Sequence, residues 1–294
     1  MKTIRIAEGA VETQIEVHTF GKGRPRVFFT AGIHGNEVSG IYVAEKMIDY
    51  FGKNPPEKGQ ISVIPRVNKT AMRCRKRTSP FDNEDLNRVF PGDSAGSFTR
   101  RLAADVYEAT EKADIIVDLH CCGQHGMPYI LSIYSESEKA KNLVSEITMP
   151  IAIHSEGTDG QLFTESCRRR GQAACIIEIP SGPSAGTVNL PVAEQVFEAL
   201  LDMLRAEGVL KGRKKGKKPT FYGKLLDLNA PAEGLWKPVH EKGDFVPAGD
   251  VLGSVGGQDV RMPEDGLLMN LQPCGYLFPD DLCVGFYAAE ECAF

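Results

Sequence analysis

No run of 18 consecutive apolar residues occurs in the chain, which excludes a membrane-spanning helix on hydropathy grounds. The opening residues, Met1-Lys2-Thr3-Ile4-Arg5-Ile6, alternate and carry charge, so no secretory signal is expected there. The eight cysteines (74, 121, 122, 167, 175, 274, 283 and 292) include no C-x-x-C pair. In a chain of 294 residues with no export signal, this predicts reduced thiols and a cytoplasmic location. Most of these cysteines are expected to fill cores; Cys121 and Cys122 stand out because they follow a histidine. Excess positive charge is missing too, and a net charge of −5 argues against a nucleic-acid partner. No internal repeat is evident. What is present is ordinary: 42% hydrophobic and 25% charged residues exclude disorder and leave ample chain for one large or two smaller domains.

The charge is unevenly spread. Residues 219–294 hold 12 Asp/Glu and 4 Lys/Arg, a net of −8, whereas residues 1–218 hold 27 acidic and 30 basic groups, a net of +3. Apolar segments at 25–31, 61–66, 114–119, 129–134 and 173–179 are predicted to be strands. Helical spacing is found at 36–51, 97–112, 136–147, 161–170 and 189–208, and this alternation predicts an α/β layer with a largely parallel sheet. Segments 67–96 and 155–160 lack periodicity, and loops of that kind inside a compact domain are usually functional. The basic run Lys211–Lys218 is expected to be a solvated linker. Beyond it, short β-like pieces punctuated by Gly and Pro predict a small all-β module, which gives domains of 1–215 and 216–294.

The first predicted strand runs into Gly32-Ile33-His34-Gly35-Asn36-Glu37, and the strand at 114–119 runs into His120. A strand-to-helix turn can aim His34 and Glu37 at one point beyond the carboxyl end of the sheet, where open α/β folds hold ligands. Two histidines and a carboxylate are a sufficient ligand set for a catalytic zinc with its fourth position open. Taken alone, H-x-x-E is weak, because either histidine also suits a hydrogen-bonded core position. Glu178 is the single carboxylate of Cys175-Ile176-Ile177-Glu178-Ile179, and a buried unpaired charge costs several kcal/mol, so it should be paired or functional.

Three ordered motifs decide between these readings. G-x-H-G-N-E at 32–37, R-x-x-P-x-D-x-x-D-L-N-R-x-F-P-G at 77–92 and D-L-H at 118–120 resemble the succinylglutamate desuccinylase/aspartoacylase family across residues 25–180. The resemblance implies a zinc-carboxypeptidase-like fold: a mixed, mostly parallel sheet flanked by helices, with a small C-terminal all-β domain covering the site. It implies one Zn2+ per chain on His34, Glu37 and His120, with Asp85 orienting a ligand histidine. Glu178 becomes the general base and then acid, and Arg77 the oxyanion stabiliser. Asn87 and Arg88 become the grip on a substrate carboxylate, and Arg168 fits the spacing of a further carboxylate-binding arginine. Asp118 shares a strand face with His120 and could do the same work as Asp85 or simply end the strand.

The implied activity is hydrolysis of a small, anionic N-acyl amino acid or related acyl amine, with no nucleic-acid or membrane partner and with homo-oligomerisation left open. Two departures bear on the substrate. Lys69 follows Asn68 where many relatives have proline, and Cys121-Cys122 follow His120 where small polar residues are expected. A peptide-cleaving zinc carboxypeptidase is the rival on the same fold. A non-catalytic carrier is the rival of another class, since Met262-Pro263-Glu264-Asp265-Gly266 resembles a biotinyl/lipoyl turn without its modifiable lysine. His18, His125, His154 and His240 are expected at the surface or in satisfied core positions, with His125 near enough to His120 to line the site.

Overall fold

The computed structural model describes residues 1–184 and 186–289, so Cys292 lies outside the described residues. Nine strands form the main sheet: β1 Lys2–Glu8, β2 Val11–Lys22, β3 Arg26–Ala31, β4 Gly59–Ile64, β5 Ile115–His120, β6 Tyr129–Ser132, β7 Ile151–His154, β8 Ala173–Glu178 and β9 Thr220–Tyr222. Their order is β1-β2-β4-β3-β5-β8-β6-β7-β9. Five of the eight pairings are parallel: β3 with β4 and β5, β5 with β8, and β7 with β6 and β9. The N-terminal hairpin β1–β2 and the short β7 and β9 lie outside the strands predicted from the sequence. Each is an edge or near-edge element whose apolar alternation is too brief or too mixed to declare itself.

The helices are α1 Val38–Lys53, α2 Lys69–Cys74, α3 Phe98–Thr110, α4 Glu138–Glu146, α5 Leu162–Arg170 and α6 Leu190–Ala206. Local chemistry sets several ends: Ser97, Ser137 and Asn189 each accept a backbone N–H from the first turn that follows, and Gly171 closes α5 in the left-handed region. Because side chains alternate along a strand, the sheet buries two cores. Phe29, Val117 and Ile177 pack under α1 and α6, whereas Phe28, Ile116 and Ile176 pack under α3 and α5.

The chain leaves the main sheet after Tyr222, a few residues past the boundary expected near 215, because β9 pairs with β7. It then builds two four-stranded antiparallel sheets from β10 Leu225–Asn229, β11 Gly234–Pro238, β12 Phe245–Val246, β13 Val251–Val255, β14 Gln258–Arg261, β15 Gly266–Leu271, β16 Gly275–Leu277 and β17 Leu282–Ala289. Trp236 is fully buried between them and donates its indole N–H to the Gln272 carbonyl at 2.9 Å. Leu267, Met269 and Ala288 pack against Tyr129, Ile151 and Ile153 of the main sheet. Among the described residues, no helix is long and apolar enough to cross a membrane.

Candidate metal centre

The carboxyl ends of β3, β5 and β8 lie side by side, and each delivers one part of the site. After β3 the chain turns through Gly32-Ile33-His34-Gly35 into α1, which begins just after Glu37. Gly35 is required by close approach: a Cβ there would lie 2.1 Å from the carbonyl carbon of Ala71 in α2. Gly40 similarly lets α1 settle on β5, where a Cβ would meet the Leu119 oxygen at 2.7 Å. β5 contributes His120, and in register beside it β8 contributes Glu178.

His34, Glu37 and His120 are all buried, and one ligand-type atom from each lies within 4.8 Å of the others. His34 Nδ1 is 2.8 Å from Glu37 Oε1, His120 Nδ1 is 3.0 Å from Glu37 Oε2, and the two Nδ1 atoms are 3.2 Å apart. Each histidine turns its other nitrogen to a carboxylate: His34 Nε2 to Asp85 at 3.0 Å and His120 Nε2 to Asp118 at 2.8 Å. A carboxylate only accepts, so a proton on Nε2 of each ring satisfies Asp85 and Asp118, while the Nδ1 atoms face Glu37, which accepts as well. With the Nδ1 positions deprotonated, two lone pairs and a carboxylate would converge on one point. That donor set suits a metal ion.

The electrostatics follow from this crowding. Burial alone would raise the Glu37 carboxyl, but His120 and His34 beside it hold it well below the usual carboxylate range. Burial likewise works upward on Asp85, and His34, Arg77 and the Asn87 N–H overcome it. Burial would depress His120, yet Asp118 and Glu37 raise it well above the ordinary imidazole value. Glu178 moves the other way. Burial pushes its carboxyl up to about 7, against the pull of His120 and with a further push from Glu37. Among the described residues, its buried Oε2 has no hydrogen-bond partner.

The remaining residues named from the sequence are placed unequally. Arg77 reaches the cluster, with Nε 2.9 Å from Asp85 Oδ2 and Nη1 3.4 Å from Glu37 Oε1. Asn87 is buried with its amide nitrogen 3.5 Å from His120 Nε2, and its Oδ1 accepts the Leu162 N–H that opens α5. Arg88 is exposed and lines a cavity of about 520 Å³ with Arg100, Arg168 and Arg169. Arg168 spends its donors on Glu136, which it grips at 3.1 and 2.9 Å, and on Glu156 O, Gly157 O and Asp159 of the 155–160 loop. In this conformation its guanidinium organises that loop. His125 lines a cavity of about 600 Å³ with Ser181 and Asn189, beyond the ends of β5 and β8. His154 meets Ser135, and His240 meets Asp244.

Three contributions were not visible in the sequence. Cys121 donates its backbone N–H to Glu37 Oε2 at 3.0 Å, and the backbone N–H groups of Ser39 and Gly40 at the start of α1 pull its thiol down against burial. Burial pushes the Cys121 thiol up to about 11 and the Cys122 thiol well above its usual range, so both stay protonated. Thr30, on β3, donates to Asp118 at 2.7 Å. Glu136, the partner of Arg168, carried no motif at all.

Comparison with known proteins identifies the family. Residues 23–206 match the succinylglutamate desuccinylase/aspartoacylase catalytic domain. The chain belongs to that family. Family membership makes it an enzyme of the deacylase kind. N-alpha-acetyl-L-2,4-diaminobutyric acid deacetylase of Halomonas elongata is 27% identical over 263 residues, 85% of this chain and 75% of that protein. The product-bound ectoine utilization protein EutE (DoeB) of Ruegeria pomeroyi superposes with a TM-score of 0.84 at 20% identity, over 98% of this chain and 93% of that one. A family structure from Rhodobacter sphaeroides gives a TM-score of 0.81 at 23% identity, over 99% and 95%. At these identities the two structures show a shared fold. It is a mixed, mostly parallel sheet flanked by helices with antiparallel β layers at the C-terminus, as the sequence predicted.

Proposed function

We propose that the protein is a zinc-dependent amidohydrolase that releases the acyl group from a small, anionic N-acyl amino acid or related acyl amine. The carrying observation is the convergence of His34, Glu37 and His120 beside a buried, unpartnered Glu178 oxygen. Zinc–ligand bonds of about 2.0–2.1 Å place tetrahedral ligand atoms about 3.3 Å apart, close to the spacing of this cluster. A zinc ion held there supplies Lewis acidity, making water easier to deprotonate and the acyl carbonyl easier to attack.

The protein's own groups supply the proton path. Glu178, raised by burial, takes the proton of the attacking water and returns it to the leaving amine. Arg77, tethered through Asp85, presents its guanidinium to the developing oxyanion. Asn87 and Arg88 complete a carboxylate grip, with Arg168 acting on the same region through the 155–160 loop. We take residues 216–294 as a cover for the site, which favours small substrates over peptides; in support, Met127, just before β6, donates its N–H to the Met269 carbonyl at 2.8 Å. We assign one zinc per chain, a cytoplasmic location and no nucleic-acid or membrane partner.

The test is Glu178→Gln, assayed with N-acetyl and N-succinyl amino acids, N-acetyl-diaminobutyrate and short peptides. Zinc content should hold while turnover of the acyl amino acids falls by about 100- to 10,000-fold. Unchanged turnover would remove Glu178 from the mechanism, and cleavage of peptides alone would make the enzyme a carboxypeptidase.

A further inference from the structure

The two ligand histidines are held in different ways, and the difference singles out a residue with no assigned role. β3 and β5 run parallel with Thr30 directly beside Asp118. Both occupy the face that packs under α3 and α5, as their neighbours Phe28 and Ile116 show. Thr30 Oγ1 donates to Asp118 Oδ1 at 2.7 Å, and Asp118 Oδ2 accepts His120 Nε2–H at 2.8 Å. Thr30 and Asp118 are each 0% exposed. Among the described residues, Thr30 and His120 are the side-chain donors to this carboxylate, one to each oxygen.

His34 rests on a softer support. Asp85 Oδ1 accepts both His34 Nε2 and the Asn87 N–H, while Oδ2 accepts Arg77 Nε. The Arg77 side chain is 45% exposed, so water reaches this network and can replace a missing donor. Among the described residues, Asp118 has no exposed partner of this kind. If the Thr30 hydroxyl is lost, a sealed carboxylate is left with one oxygen unpaired in apolar surroundings. It can then answer only by shifting toward another donor, which carries the His120 ring off its line.

We propose that Thr30 is a positioning residue for the metal centre, acting on His120 through Asp118. This rests on the zinc-dependent reading above. The order Thr30–Asp118–His120 sets the tautomer and the aim of His120 Nδ1 before a metal arrives, so the sealed strand pair β3–β5 is the rigid half of the site and the Asp85–Arg77 side the adjustable half.

Two substitutions separate this role from simple packing, because each keeps what the other removes. Thr30→Val keeps the shape and loses the hydroxyl; Thr30→Ser keeps the hydroxyl and loses the methyl group. Zinc dissociation constants are measured by chelator competition on each purified apo-protein, with apo melting curves alongside. We expect Thr30→Val to bind zinc about 10- to 100-fold more weakly and Thr30→Ser to stay within about threefold of wild type. At saturating zinc, KM should be unchanged in Thr30→Ser. If Thr30→Val does not fold, Thr30→Ala replaces it, with the same expected order below serine. Wild-type affinity in the valine or alanine variant, or a serine variant as weak as either, overturns the proposal. A wild-type protein that takes up no zinc removes the metal reading itself, a result distinct from equal binding across the variants.

Discussion

At the scale of single residues, the site depends on what a glycine leaves out as much as on what a histidine supplies. Gly35 stands between two site residues where α2 touches the turn, and a methyl group there would lie 2.1 Å from backbone. Gly35→Ala should therefore cost about 2–3 kcal/mol by overpacking and should lower zinc content, read by thermal melting and metal analysis. A fully stable, zinc-replete alanine variant would show that the turn yields easily. His34, Glu37 and His120 were legible because motif and strand ends coincided. The surroundings of Arg168 were not, since Glu136 lies 32 residues away in sequence and only the fold brings the two together. Cys121 was legible as a residue close to the cluster, but not as the backbone donor to Glu37.

At the scale of elements, the segment expected to be a solvated linker is largely exposed and is also anchored at several points. Lys211 pairs with Glu57, Lys214 pairs with Glu146, and the backbone N–H groups of Lys215 and Gly216 both donate to Asp202 Oδ2 at 3.0 Å. Asp202 sits in the last turns of α6 and also pairs with Arg205. Burial would raise its carboxyl, but these N–H groups and Arg205 lower it. A lowered folded value means that the stabilisation is present above the ordinary carboxylate range and is lost as pH falls through the folded value. Asp202→Ala should cost about 1 kcal/mol near neutral pH, measured by urea unfolding, because it removes the acceptor shared by two backbone donors. The loss should shrink as pH drops below about 4, near the unfolded carboxylate value. An alanine effect that is independent of pH would assign the anchor to packing alone. A basic run gives no sign of such an anchor in sequence, because its partner lies on a helix 13 and 14 positions back.

For the molecule as a whole, charge arithmetic separated two modules, and packing joins them. Tyr129, Ile151 and Ile153 of the main sheet share a core with Leu267, Met269 and Ala288. Removing residues 219–294 would strip β9 from the edge of β7 and bare those side chains, each worth roughly 1.5–3 kcal/mol of burial. The truncated chain 1–218 should lose cooperative unfolding and aggregate, as followed by calorimetry and light scattering. A monomeric, sharply melting truncate would show instead that the large sheet stands alone. The acidic surplus of residues 219–294 still suits a cover that turns away stray anions, but its contact with the 122–127 loop makes it part of the scaffold around the site as well.

The sequence alone determined the α/β class, the strand ends that carry the candidate ligands and the family, because periodicity and contiguous motifs are local properties of the chain. That Asp85 meets His34, that Thr30 meets Asp118, and where Arg168 and the basic run are held were decided only by tertiary structure. Those partners stand far apart along the chain, 51 positions for His34 and Asp85, 88 for Thr30 and Asp118 and 32 for Arg168 and Glu136, and are joined by parallel register and loop packing that no local pattern records.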